Sequence, residues 1–252
     1  MSEREVYDIA VRCWAGLAAV VMPILFLKTA PYGRHTPANA RWTLPSRIGW
    51  IVMEAPSAIV VAICMLAAPR PVGVVPLMLF FLWELHYLNR SFVYPFRMRG
   101  GGRPMPISIC TSAFSFTTIN GYLNGRWIAT FGVYPDAWAT DPRFVIGVAL
   151  FAIGFAINQH SDALLFRLRG RDDTGYKIPS GGLFRYVSCP NYLGEIIEWC
   201  GWALATWSVA GLAFALWTVA NLAPRARAHH RWYRATFATY PANRRALVPG
   251  VY

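Results

Sequence analysis

Asn191, Glu195 and Glu198 stand at i, i+4 and i+7 in the run YKIPSGGLFRYVSCPNYLGEIIEW, so on one helix they share a face. The flanking sequence is apolar enough to lie in lipid, where a charged side chain at mid-depth costs roughly 2.5–3.5 kcal/mol on insertion scales. Such residues are expected to face a polar cavity, a partner or a ligand. Glu54 poses the same problem within WIVMEAPSAIVV, beside Pro56, which frees a backbone carbonyl and bends its helix. In VGVVPLMLFFLWELHYLNRSFVY, the residues Glu84, His86, Tyr87, Asn89 and Arg90 crowd the last turns. Tyr87 as an interfacial aromatic and Arg90 as a snorkelling anchor is the plainer alternative there.

Asn158, Asp162 and Arg169 in FAINQHSDALLFRLR are spaced by four and then seven residues, which aligns a donor, an acceptor and a cation if the helix continues. A capped, charge-balanced helix end is the competing reading. In ARAHHRWY, Arg225, His229 and Tyr233 fall at i, i+4 and i+8, again one face. The adjacent His229 and His230 point in different directions on a helix, and no third ligand has suitable spacing, so no metal site is expected. Glu54, Glu84, Asp162, Glu195 and Glu198 would together cost roughly 12–17 kcal/mol if lipid-exposed at mid-depth. The spans must therefore enclose a polar pocket. No GxGxxG follows a strand pattern, and Walker, HExxH and GxSxG motifs are lacking, which excludes a Rossmann domain.

The elements that position these groups follow from composition. With 252 residues, 56% of them hydrophobic and 14% charged, and a mean hydropathy of +0.34, the chain reads as an all-α, polytopic membrane protein. One domain over residues 1–252 is expected, since spans of about 20 residues leave no room for a separate soluble unit. Spans are expected at roughly 13–27, 48–68, 73–94, 106–128, 144–166, 187–204 and 206–222, the sixth having a polar entry. The acidic start SEREVYD lacks the pattern of a cleavable leader, so the first span is expected to stay in the mature protein. Five cysteines without paired spacing predict no disulfide framework. The net charge of +12 is spread over loops, which argues against nucleic acid. With the C-terminus inside, only Arg4, Arg12, Arg70, Arg126 and Arg143 of the 24 basic residues lie outside, a strong positive-inside bias that puts the N-terminus outside.

These segments, from about Glu54 to the C-terminus, resemble the steroid 5-alpha-reductase family. The resemblance rests on HYLNRSFVYPF, INQHSDALLFRLR, YKIPSGGLFRYVSCPNYLGEIIEWCGWALATWS and the ending ARAHHRWYRATFATYPANRRALVPGVY. It implies a seven-span enzyme that uses NADPH to reduce the double bond of a 3-oxo-Δ4-steroid. By the same resemblance Glu54 and Tyr87 contact the steroid ketone. Arg90, Arg103, Asn158, Asp162, Arg169, Tyr176, Lys177, Asn191, Glu195, Arg225, His229 and Tyr233 match the family's cofactor contacts. Arginine suits the cofactor's phosphates because its forked donors match their oxygens. Two positions depart from the pattern: Met53 stands where the family has Gln, and Lys177 where a relative has Arg.

The resemblance also implies the chemistry: hydride adds beta to the ketone, and a donor at the ketone oxygen stabilises the enolate. Two other classes remain open at this point. Membrane methyltransferases of the isoprenylcysteine or phospholipid type, which use S-adenosylmethionine, have a similar turn before a paired-Glu helix. A non-enzymatic lipid transporter or scaffold would also explain the spans. Steroid and membrane lipids are the expected partners, with no obligate protein partner. Only Lys28 and Lys177 among the basic residues are Lys, a composition that favours a bacterial inner membrane over the endoplasmic reticulum.

Overall fold

The computed structural model describes residues 1–37, 39–98, 101–168 and 175–252. The long elements are α1 (Glu3–Leu27), α2 (Ser46–Leu66), α3 (Val74–Leu88), α5 (Ile107–Arg126), α6 (Pro142–Arg167), α7 (Pro190–Thr206) and α8 (Val209–Thr236). A π-turn, Asn89–Val93, runs from α3 into the short α4 (Tyr94–Arg97), and a second, Trp127–Phe131, follows α5. The fold is all-α apart from β1 (Thr43–Pro45) and β2 (Pro104–Pro106), an antiparallel pair among the described residues that ties the α1–α2 loop to the segment before α5.

Local chemistry sets several helix starts. Ser2 and Glu5 form a reciprocal capping box at α1. The Asp141 side chain accepts from Arg143 N ahead of α6, with Pro142 at the first helical position. Ser208 caps α8 by accepting from Gly211 N. Between α7 and α8, Trp207 takes a left-handed conformation at φ 44°, so only Trp207 and Ser208 separate the two helices.

α1, α2, α6 and α8 are long and apolar enough to cross a membrane. The seven expected runs all become helical, but α3 and α7, with 15 and 17 residues, fall short of the ~20 residues a span needs. The run expected from 187 starts at Pro190, because Val187 instead bridges to Arg245. α1 packs parallel to α8, as shown by Trp217 Nε1 donating to Trp14 O and by Arg227 lying over the Phe26 ring. α2 packs parallel to α5, with Met53 O accepting from Thr117 Oγ1 and Cys64 lying against Gly125.

α6 and α7 run antiparallel and touch backbone to backbone through Gly147 and Gly154 on one side and Gly194 and Gly201 on the other. A methyl on Gly154 would come within 2.5 Å of Gly194 O, and one on Gly147 within 2.7 Å of Gly201 O. Lipid tails are as apolar as Leu, so helices in a bilayer associate through such close packing and interhelical hydrogen bonds. The core supplies both: Trp83, Trp199, Trp202, Phe151 and Phe214 are buried together with Tyr87. Trp83 Nε1 donates to Ser57 O at 3.1 Å, and Trp202 Nε1 to Asn124 Oδ1 at 2.9 Å.

Candidate active site

Arg90 lies in the π-turn after α3, where the wider backbone carries it inward. Its guanidinium sits 4.7 Å from the ring centroids of both Trp50 and Tyr94. Carboxyl groups from three helices surround its nitrogens: Asp162 of α6 at 3.7 Å and Glu195 of α7 at 3.5 Å are the nearer two, and Glu54 of α2 stands at 4.0 Å. A buried cation needs such compensation, and a guanidinium can serve several acceptors at once. Arg90 is therefore an internal hub rather than a snorkelling anchor.

Hydrogen bonds across the glycine seam hold the carboxylates. Asn191 Nδ2 donates to Asp162 Oδ1 at 3.0 Å, and Asn158 Nδ2 donates to Asn191 O at 3.1 Å and to Glu195 Oε2 at 3.4 Å. The seam brings α6 and α7 close enough for these short side chains to meet. Tyr87 is only 3% exposed, far too buried for an interfacial aromatic. Its ring lies against Trp83 and Trp199.

A cavity of about 260 Å³ runs from Arg90, Asp162 and Asn191 to a strongly basic end. There Arg225 stacks 3.4 Å from the Tyr32 ring and donates to Tyr192 Oη and Tyr32 O, both at 3.2 Å. Arg103 donates to Tyr176 Oη at 3.3 Å, and Lys177 completes the wall. His229 bridges Tyr192 Oη and His35 Nε2, each at 3.2 Å. Tyr233 accepts from Arg34 at 3.3 Å. The i, i+4, i+8 stripe of α8 thus faces one cavity. Arg169 falls outside the described residues.

Sequence reasoning missed Tyr32, Arg34 and His35, which reach the basic end from the α1–α2 loop. Arg34 is enclosed by the rings of Tyr176, Trp232 and Tyr233, and its Nη1 is buried without a partner. A loop has no periodicity to reveal an inward face; the only signal was the cluster YGRH itself. His35 is held down to a pKa of about 4 by burial, then by the charges of Arg225 and Arg34, and is neutral at neutral pH. Cys189, at the entry to α7, is pushed up to about 12 by burial, which keeps it a thiol. Two residues singled out in the sequence join neither group. Glu198 turns from Asn191 and Glu195 towards His86 of α3, and Glu84 leaves Oε1 buried and unpartnered.

The residues fit a phosphate-bearing dinucleotide. Arg34, Arg103, Lys177 and Arg225 gather at one end of a single cavity, and the buried, unpartnered Nη1 of Arg34 is a donor in want of an acceptor. The amide and carboxylate groups at the other end can take hydroxyls and a carboxamide. Among the described residues no cluster could hold a metal ion.

The model of a family described as 3-oxo-5-alpha-steroid 4-dehydrogenase matches residues 103–252. The 3-oxo-5-alpha-steroid 4-dehydrogenase 1 of Macaca fascicularis is 48% identical over 220 residues, 86% of this chain and 83% of that protein. The 3-oxo-5-alpha-steroid 4-dehydrogenase 2 of Homo sapiens is 44% identical over 250 residues, covering 94% of this chain and 96% of its own. Steroid 5-alpha-reductase DET2 of Arabidopsis thaliana is 41% identical over 253 residues, with 98% and 96% covered.

Proposed function

The chain belongs to the 3-oxo-5-alpha-steroid 4-dehydrogenase family, and from that premise we propose that it reduces the Δ4 double bond of 3-oxo-Δ4-steroids with NADPH. The observation that carries the reading is the Arg90 hub, which joins Glu54 to Asp162 and Glu195 at the inner end of a cavity whose outer end is basic. Neither a methyl donor lacking phosphates nor a lipid carrier calls for that pairing. NADPH, when bound, would supply the hydride to C5, and a solvent proton added at C4 would complete the reduction.

Arg34, Arg103, Lys177 and Arg225 bind phosphate oxygens through charge-assisted hydrogen bonds, and Arg169 is assigned to the same set. Tyr176, His229 and Tyr233 shape the wall around them. Asn158, Asp162, Asn191 and Glu195 orient the reacting end and hold Arg90. At the substrate, Tyr87 donates a hydrogen bond to the C3 ketone, where negative charge gathers as the hydride adds. Glu54, in its protonated form, shares that oxygen or holds the Tyr87 hydroxyl towards it. Buried aromatic walls exclude water, which strengthens both interactions. The membrane orientation we assign has the N-terminus outside, with the basic cavity end and C-terminus in the cytoplasm.

The test is single-turnover reduction of a Δ4-3-ketosteroid at saturating NADPH. Glu54→Leu and Tyr87→Phe should each slow chemistry on the order of a hundred- to a thousand-fold, the usual effect of losing one such donor, while NADPH affinity is retained. Near-normal rates in both variants would sink the assignment. Loss of NADPH binding in either would move that residue to the cofactor site.

A further inference from the structure

His86 and Glu198 are buried, titratable groups that the mechanism above leaves unused. His86 Nδ1 meets Glu198 Oε1 at 2.7 Å, and the side chains are 6% and 0% exposed. The bond joins α3 to α7 one residue before Tyr87 and one helical turn beyond Glu195. The His86 ring stands edge-on to Tyr87 at 5.0 Å and to Trp199 at 4.6 Å, while Trp199 also lies 5.8 Å from Tyr87. Tyr87 is therefore boxed by Trp83, His86 and Trp199.

An apolar pair would pack such a core without burying a carboxylate, whose second oxygen here has no partner. What apolar packing lacks is direction. Beyond Leu88 the chain enters the π-turn Asn89–Val93, where i to i−5 bonding replaces the regular ladder and the phase of the helix shifts just past Tyr87. A short, directional bond at His86 fixes the rotation of α3 where Tyr87 must be aimed.

We propose that His86 and Glu198 form a positioning pair for Tyr87, anchoring the end of α3 to α7 so that the Tyr87 hydroxyl is held at its working angle. The inference rests on the assignment of Tyr87 as ketone donor, and the experiment separates failure of the two. Using the full chain in lipid nanodiscs, Glu198→Met should lower kcat by about 10²-fold, the scale of an ångström-sized misplacement. Steroid KM and NADPH affinity should stay within about threefold, because ground-state binding is not the quantity lost. Glu198→Gln keeps an oxygen for the imidazole N–H and should recover most of the rate.

The double variant His86→Leu/Glu198→Met leaves no unpaired buried charge, so it should fold normally and remain slow. In a Tyr87→Phe background, adding Glu198→Met should change kcat by less than about twofold, since the pair acts only through the lost hydroxyl. Wild-type rate in the apolar double variant overturns the proposal, as does an additive loss in the Tyr87→Phe background. An unchanged rate in Tyr87→Phe alone instead removes the ketone-donor assignment, and the pair's role with it.

Discussion

Arg90 and its carboxylates illustrate how far single residues could be read from the sequence. Spacing identified Asn158 with Asp162 and Asn191 with Glu195 as faces, and the structure joins those faces by hydrogen bonds. It could not say that Glu198, on the same stripe, would turn to another helix, because a helical face wide enough for both directions spans about 100°. Nor could it reveal His35, whose setting makes a residue-scale prediction. In the unfolded chain His35 titrates near its ordinary 6.5, but in the fold near 4. Between those values the unfolded state binds the proton and the native state does not. The stability contribution is therefore intact above pH 6.5 and is lost as pH falls towards 4. Thermal unfolding in detergent from pH 7.5 to 4.5 should show a shallower decline for His35→Asn than for the parent. Parallel declines would assign the acid sensitivity elsewhere.

Helices were legible as apolar runs, and their joints were not. Averaging over a window reveals a period of 3.6, but a single π-turn shifts the phase by one residue and vanishes into it. Hence the turn that carries Arg90 inward went unforeseen. The α6–α7 seam, by contrast, is written in the sequence as Gly147 and Gly154 against Gly194 and Gly201, though one chain alone does not tell which helices meet. Gly154→Ala must displace backbone rather than a side chain, since its methyl would press on Gly194 O and Glu198 Cα. Overpacking of this kind costs about 1–3 kcal/mol. The same displacement opens the Asn158 and Asn191 bonds one turn away, so NADPH affinity should fall along with the melting temperature. Gly147→Ala, farther from those bonds, should lower the melting temperature but change affinity much less. Equal affinity in the parent and Gly154→Ala would uncouple the seam from the site.

For the molecule as a whole, the charge asymmetry of the loops carried more than any single motif. Arg34, Arg103, Lys177 and Arg225, from four separate segments of the chain, line one cavity, and the alternation of basic loops with apolar runs is what assigns that end to the cytoplasm. In a background with the native cysteines replaced, cysteines introduced at the exposed positions Gly102, Ser180 and Asn243 should resist an impermeant thiol reagent in sealed, right-side-out vesicles and react once these are opened. Labelling of any one from outside would break the assigned orientation, since it places all three on the cytoplasmic side.

The connection through Trp207 and Ser208 bears on how that end works as a machine. α7 and α8 form a short-linked hairpin, so Asn191 and Arg225, at opposite reaches of the cavity wall, belong to one stiff jaw. The facing part, Tyr32 to His35, hangs on the long connection between Leu27 and Ser46. The clasp of Arg225 on Tyr32 is what fastens that strap to the jaw, so the two sides of the cavity are held together there by one side chain rather than by a shared helix.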